Sequence, residues 1–362
     1  MTVDSGPGKG DIPAPVGQPH GPPPVEVRGL VKRYGELTAV AGVDLTVNVG
    51  DVYGYLGPNG AGKTTSLRMM LGLISPTAGS VRLFGRDPME SVHALDGVAG
   101  FVEAPTFYPY LSGRRNLELL AAFDGHRAAT RIEQALETVE LCDRARDPVG
   151  GYSHGMRQRL GIAAAVVRDP KLMLLDEPAT GLDPAGMRDM RLLVRRLADQ
   201  GITVVLSSHL LAEVEELCNR VAIVQAGKIV YEGEITALKR SAGATYRLST
   251  TDNERALAVC CAQPGIADVG IEQPVDAGAA QPGEAGRRAG REPARIRFAA
   301  DEAAVAELSR ALVEAGALIK SLAPQTATLE DLFFSLTEGS DGADGYPAGL
   351  VPGPAVPMRP GR

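Results

Sequence analysis

The chain has 362 residues, 44% of them hydrophobic and 22% charged, which is enough apolar material for one large domain and a smaller one. A formal net charge of -7 leaves no basic excess to neutralise phosphates and argues against a nucleic-acid partner. No apolar run approaches the ~18 residues of a membrane span, and the start lacks the cationic-then-apolar pattern of a signal peptide. Residues 1–24, rich in Gly and Pro and ending in Pro22-Pro23-Pro24, offer almost nothing to bury and are expected to be disordered, as are residues 340–362. From 25 to about 240, strands alternate with helices. Two β-rich runs, 25–31 and 42–49, are joined through Tyr34-Gly35, and an apolar strand over 51–56 runs into a helix over 62–71. The stretch 105–167 is mostly helical and reads as an inserted subdomain. Compact apolar strands at 172–175 and 203–207, with helices at 187–200 and 211–219, have the character of a parallel sheet buried on both faces. This pattern predicts an α/β fold with a mainly parallel core sheet. Strands at 244–248 and 295–298, helices at 302–315 and 329–336, and a flexible loop at about 275–292 read as a small α+β domain over 241–339.

The four cysteines, Cys142, Cys218, Cys260 and Cys261, form no CxxC pair and read as reduced thiols of a cytosolic protein. The strongest local signal is Gly57-Pro58-Asn59-Gly60-Ala61-Gly62-Lys63-Thr64-Thr65, which fits the pattern G-x-x-x-x-G-K-[ST] between a strand and a helix. Its glycines let the backbone N–H groups close on phosphate oxygens, and the following helix adds its positive end. Lys63 then places a point charge on the β- and γ-phosphates, and the Thr64 hydroxyl is suited to Mg²⁺. The motif predicts a P-loop NTPase core with ATP and Mg²⁺ as its ligands. Residues 172–175 form an apolar strand that ends in Asp176-Glu177. A parallel strand delivers ligands at its carboxyl end, so Asp176 is placed to hold Mg²⁺ opposite Thr64. Glu177 is placed to orient or deprotonate the attacking water.

On these motifs, together with Tyr152-Ser153-His154-Gly155-Met156-Arg157-Gln158-Arg159-Leu160, residues 25–238 closely resemble the ATP-binding subunits of ABC transporters. Ser153 alone would read as a helix cap. The resemblance makes Ser153, His154, Gly155 and Met156 a signature that binds the γ-phosphate held by a second subunit. It also implies that Tyr34 stacks on adenine and that Glu103 meets Mg²⁺ and relays to a membrane subunit. Thr180-Gly181-Leu182-Asp183 becomes the loop through which subunits communicate, with Asp183 in it. His209, after Ser207-Ser208, becomes the switch histidine on the γ-phosphate. Two departures stand out: Glu103 replaces a usual Gln, and His154 replaces a common glycine.

The resemblance implies a pair of ATPase subunits, two copies of this chain as the first expectation or this chain and a close homologue, on a separate transmembrane permease at the cytoplasmic face of the membrane. Ala104-Pro105-Thr106-Phe107-Tyr108-Pro109-Tyr110-Leu111 is similar to the surface that receives a permease helix, or else ordinary packing within the helical subdomain. The ending Thr328-Leu329-Glu330-Asp331-Leu332-Phe333-Phe334-Ser335-Leu336-Thr337 resembles that of antibiotic- and drug-export ATPases and favours export. The rival is a soluble ABC ATPase without a membrane partner. Translation-factor members carry two cassettes, and DNA-repair members carry long coiled coils or zinc clusters. The sequence has neither. A nucleotide-gated binder that barely hydrolyses ATP is opposed by the presence of Glu177 and His209.

Overall fold

The computed structural model describes residues 21–124, 126–241, 245–272, 295–325 and 328–338. Of the residues expected to be disordered, 1–24 and 340–362, residues 1–20 and 340–362 lie outside the described residues, as does the loop expected at 275–292, whereas Pro24 is buried and its carbonyl accepts from Phe84 N–H at 3.2 Å. In chain order the first part holds β1 (Val25–Tyr34), β2 (Leu37–Val47), β3 (Val52–Leu56), α1 (Lys63–Met70), β4 (Ala78–Leu83) and β5 (Val98–Phe101). Helices α2 (Gly113–Ala121), α3 (His126–Ala129), α4 (Ile132–Thr138) and α5 (His154–Val166) form an arm. The chain then returns through β6 (Leu172–Leu175), α6 (Pro184–Asp199), β7 (Thr203–Ser208), α7 (Leu211–Leu217), β8 (Arg220–Gln225), β9 (Lys228–Glu234) and α8 (Ile235–Ser241).

Six of these strands share a sheet in the order β5-β6-β7-β3-β8-β9, parallel throughout except for β9. Side chains alternate across it, as the two-residue period of a strand requires. Val52, Leu56, Met173, Leu175, Val204, Leu206, Val221 and Ile223 enter one core with the helical arm. Tyr53, Tyr55, Leu172, Leu174, Val205, Ala222 and Val224 enter a second core, under α1 and an antiparallel sheet of order β2-β1-β4. Both faces are covered, which is why these strands read as unbroken apolar runs. The result is the expected P-loop NTPase α/β core with an N-terminal β-layer and a helical insertion.

Differences from the sequence reading have local causes. β5 is four residues long and includes Gly100, too short to show a period. Helix α6 begins at Pro184 rather than 187, because the Asp183 carboxylate caps it by accepting from Gly186 N–H at 2.9 Å, with proline in the first turn.

The C-terminal region contains β10 (Thr245–Thr250), α9 (Asn253–Ala262), β11 (Ala267–Glu272), β12 (Arg295–Ala299), α10 (Glu302–Glu314) and β13 (Ile319–Gln325). Its antiparallel order β11-β12-β10-β13 is that of a ferredoxin-like split βαβ unit. Leu248, Ile296, Phe298, Leu308 and Leu312 give it a core of its own. The last described helix, α11 (Leu329–Glu338), does not stay with that unit. Its Leu329 and Leu332 enter the same core as Val214 and Cys218 of the ATPase body, and Leu329 N–H donates to Glu215 Oε2 at 2.7 Å.

Candidate nucleotide site

The loop after β3 can close tightly only because it is glycine-rich. Gly60 and Gly62 have φ of +83° and +96°. A Cβ on Gly62 would lie 2.2 Å from the Ala39 carbonyl oxygen, and one on Gly57 would lie 2.3 Å from that of Val224. Helix α1 starts at Lys63 with no side-chain cap, so its first N–H groups are left to the loop. The Tyr55 hydroxyl meets Ser66 Oγ at 3.1 Å and pins α1 to β3. Lys63 is buried, and its ammonium curls back to donate to the carbonyls of Gly57 at 2.8 Å and Pro58 at 3.2 Å.

Strand β6 delivers the two acids beside this loop. Asp176 is buried and its Oδ1 accepts from the Ser207 hydroxyl at 2.5 Å. The same hydroxyl accepts from Glu177 N–H at 2.9 Å, so one serine on β7 orients both residues. Glu177 has φ of +50°, the left-handed region that a non-glycine residue holds only where its surroundings fix it. Those surroundings are the Thr180 hydroxyl and His209 Nδ1, 2.9 and 2.7 Å from Oε2, and Lys63 Nζ, 3.3 Å from Oε1. Burial pushes the Glu177 carboxyl up. The hydrogen bonds from Thr180 and His209, with the charge of Lys63, outweigh it and hold the group below the usual glutamate range.

A cleft of about 490 Å³ gathers Tyr34, Asn59, Gly60, Gly62, Lys63, Thr64, Thr65, Glu177 and His209, all named from the sequence. Leu37, Ala39 and Thr180 also line it. Gly57, Pro58 and Ala61 form the back of the loop, and Tyr34 is half exposed at the rim with Lys32 Nζ 5.1 Å from its ring centroid. Glu103, at φ +68°, is held by an ion pair with Arg68 of α1 and does not line the cleft. The signature residues Ser153, His154, Gly155 and Met156 begin α5, where Ser153 Oγ accepts from Met156 N–H at 3.2 Å. They too lie outside the cleft's lining, as does Asp183 at the start of α6. Sequence reasoning missed the orienting roles of Ser207, Thr180 and Arg68. Ser207, in the run Ser207-Ser208-His209 at a strand end, and Thr180, in the run Thr180-Gly181-Leu182-Asp183, carried a signal, whereas Arg68 carried none.

Similarity to known proteins accords with this geometry. A family model described as ABC transporter matches residues 40–180. The bacitracin transport ATP-binding protein BcrA of Enterococcus faecalis is 35% identical over 87% of this chain and 96% of its own length. This chain belongs to the ATP-binding subunits of ABC transporters. The daunorubicin resistance ATP-binding protein DrrA3 of Streptomyces coeruleorubidus is 40% identical over 60% of the chain and 73% of its own. Among solved structures, an ATP-binding subunit of an ABC transporter superposes with a TM-score of 0.55 at 26% identity, over 60% of this chain and 92% of that one. As an ABC ATPase the chain binds and hydrolyses ATP. Among the described residues, no helix is long and apolar enough to cross a membrane, and no cluster of three or more His, Cys, Asp or Glu side chains is arranged to hold a metal by itself.

Proposed function

We propose that this ATPase powers a separate transmembrane permease exporting antibiotics, drugs or lipid-like compounds, and that it works as a head-to-tail pair at the cytoplasmic face of the membrane. The observation that carries the reading is the convergence of Lys63, Glu177 and His209 in one cleft of a chain 35% identical to a bacitracin transport ATP-binding protein. Other relatives are named for daunorubicin resistance, Nod factor export and lantibiotic transport.

In this reading Tyr34 stacks on the adenine and the loop from Gly57 to Thr65 wraps the phosphates, with Lys63 turning from its carbonyls to the β- and γ-oxygens. The donors available to Mg²⁺ are the Thr64 hydroxyl and the Asp176 carboxylate, hard oxygens that suit this ion. Glu103 joins them only by releasing Arg68. When bound, Mg²⁺ offsets charge on the β- and γ-oxygens. Glu177, ionised and aimed by Thr180, His209 and Ser207, takes the proton of the attacking water or orients it. With Nδ1 turned to Glu177, His209 keeps Nε2 for the γ-phosphate. Ser153, Gly155 and the start of α5 close over the partner's nucleotide, and Asp183 lies at the junction between subunits.

A groove of about 390 Å³ between the arm and the sheet supports the permease partner. It is lined by Phe101, Pro105, Phe107, Leu120 and Phe123 among others, with exposed Tyr108 and Tyr110 close by in sequence. The test is co-expression with a candidate permease in membrane vesicles. Copurification and stimulation of ATPase activity by peptide antibiotics, anthracyclines or lipid-like compounds is the expected result. ATPase activity with no copurifying permease and no stimulating compound would overturn the exporter reading.

A further inference from the structure

Within one chain, the signature helix is wired to the catalytic carboxylate by successive polar contacts. His154, the first residue of α5, turns its ring toward residues 180–183, with Nε2 3.0 Å from the Thr180 carbonyl oxygen. A carbonyl only accepts, so the ring carries a proton on Nε2 and donates it. The Thr180 hydroxyl in turn donates to Glu177 Oε2 at 2.9 Å, and that oxygen also meets His209 Nδ1 at 2.7 Å. Glu177 Oε1 lies 3.3 Å from Lys63 Nζ. The contacts therefore run from the residue beside Ser153 to the lysine of the phosphate loop.

The loop between them transmits displacement because it is short and internally bonded. Thr180 N–H donates to the Glu177 carbonyl at 3.1 Å and Leu182 N–H to that of Ala179 at 3.2 Å. A shift of the Thr180 carbonyl therefore carries its hydroxyl along. The His154 ring fits because position 181 is glycine. A Cβ there would already lie 3.4 Å from Nε2, and Gly181 holds φ of +76°. A Cβ on Gly155 would lie 3.4 Å from Leu182 Cδ2, which puts the start of α5 against the same loop. At the far end, the left-handed conformation of Glu177 depends on the bonds that hold it, so it responds to loss of any one of them. A glycine at position 154 would make none of these contacts.

We infer that His154 is a positioning residue that couples the two ATP sites of the pair, passing the state of the partner's nucleotide at Ser153 through Thr180 to this subunit's own Glu177. The inference rests on the head-to-tail reading. A γ-phosphate that docks on α5 biases the position of His154, and by linkage the same bias is felt at Glu177. The coupled element is a loop bonded at both ends, a physical connection beyond mere proximity.

The experiment measures ATPase rate against ATP concentration for the full chain and for His154→Leu, His154→Gln, Thr180→Val and the His154→Leu/Thr180→Val double variant. Light scattering follows ATP-driven dimerisation in each. His154→Leu is expected to bring the Hill coefficient from above one to about one and to lower kcat about 5-fold or more, with dimerisation retained. His154→Gln keeps an N–H donor and is expected to recover most of both. In the Thr180→Val background, His154→Leu is expected to add less than about a further 2-fold, since its contact then leads nowhere. Additive losses, an unchanged Hill coefficient, a glutamine no better than leucine, or a non-cooperative wild type would each overturn the relay. A wild type that hydrolyses ATP but never dimerises would overturn the head-to-tail reading beneath it instead.

Discussion

At the scale of single residues, Glu177 combines the requirements of a general base: reach into the cleft, a fixed orientation and a held charge. Glu177→Gln is expected to slow hydrolysis by about 10²–10⁴-fold while nucleotide binding survives, because Lys63 and the loop N–H groups remain. Near-wild-type single-turnover rates in that variant would remove Glu177 from the mechanism. The pH dependence follows from the direction of its shift. A carboxyl held below its unfolded value stays ionised until the pH falls through that depressed value, so the acid limb of kcat/KM, which reports the nucleotide-free enzyme, belongs below the ordinary glutamate value of about 4.3. Its stabilising contribution is likewise complete above the unfolded value and lost as the pH falls toward the folded one. Thr180→Val deletes one of the bonds that lower it, so the limb is expected to move to higher pH. A pH profile of kcat/KM for that variant whose limb stays put or moves lower would contradict the assignment.

At the scale of elements, what the sequence shows and what it hides divide along physical lines. The phosphate loop and the Asp176-Glu177 strand end are contiguous motifs whose chemistry is set by neighbours in the chain, so they can be read directly. The Ser207 hydroxyl that orients both acids comes from 31 and 30 residues away, and pairing at such separation leaves no periodic trace. Arg68 is hidden for the same reason, its partner Glu103 being 35 residues on. Helix α11 looked like part of the appended unit because a helix's period tells which face is apolar but not what covers it. In the structure Leu329 is fully buried among ATPase residues. Leu329→Ala is therefore expected to cost about 2–5 kcal/mol and to appear in the unfolding transition that ATP stabilises, since ligand linkage marks the domain that binds it. Urea unfolding with and without ATP decides this. If only an ATP-insensitive transition moves, α11 belongs energetically to the C-terminal unit.

At the scale of the whole molecule, the cleft and the proposed permease groove share one mechanical element. Helix α5 begins with the signature residues, and further along it a Cβ on Gly161 would lie 2.6 Å from Pro105 Cγ on the groove. In the proposed pair, one helix thus meets both the partner's γ-phosphate and the apolar groove, and close-packed helices move as units rather than deforming. Closing the pair on ATP is expected to displace the groove, and an occupant of the groove is expected to alter closure in return. Phe123 stands 89% exposed on the groove's lining. An exposed aromatic at such a position has the character of an interface anchor. Phe123→Arg is expected to weaken capture of the permease at least about tenfold and to abolish stimulation by transported compounds. ATP-driven self-association, proposed to rest on the phosphate loop and Ser153, is expected to persist. Pull-down from vesicles and light scattering on the same preparation measure the two effects. A Phe123→Arg protein that still captures the permease at wild-type strength would move the docking surface away from this groove.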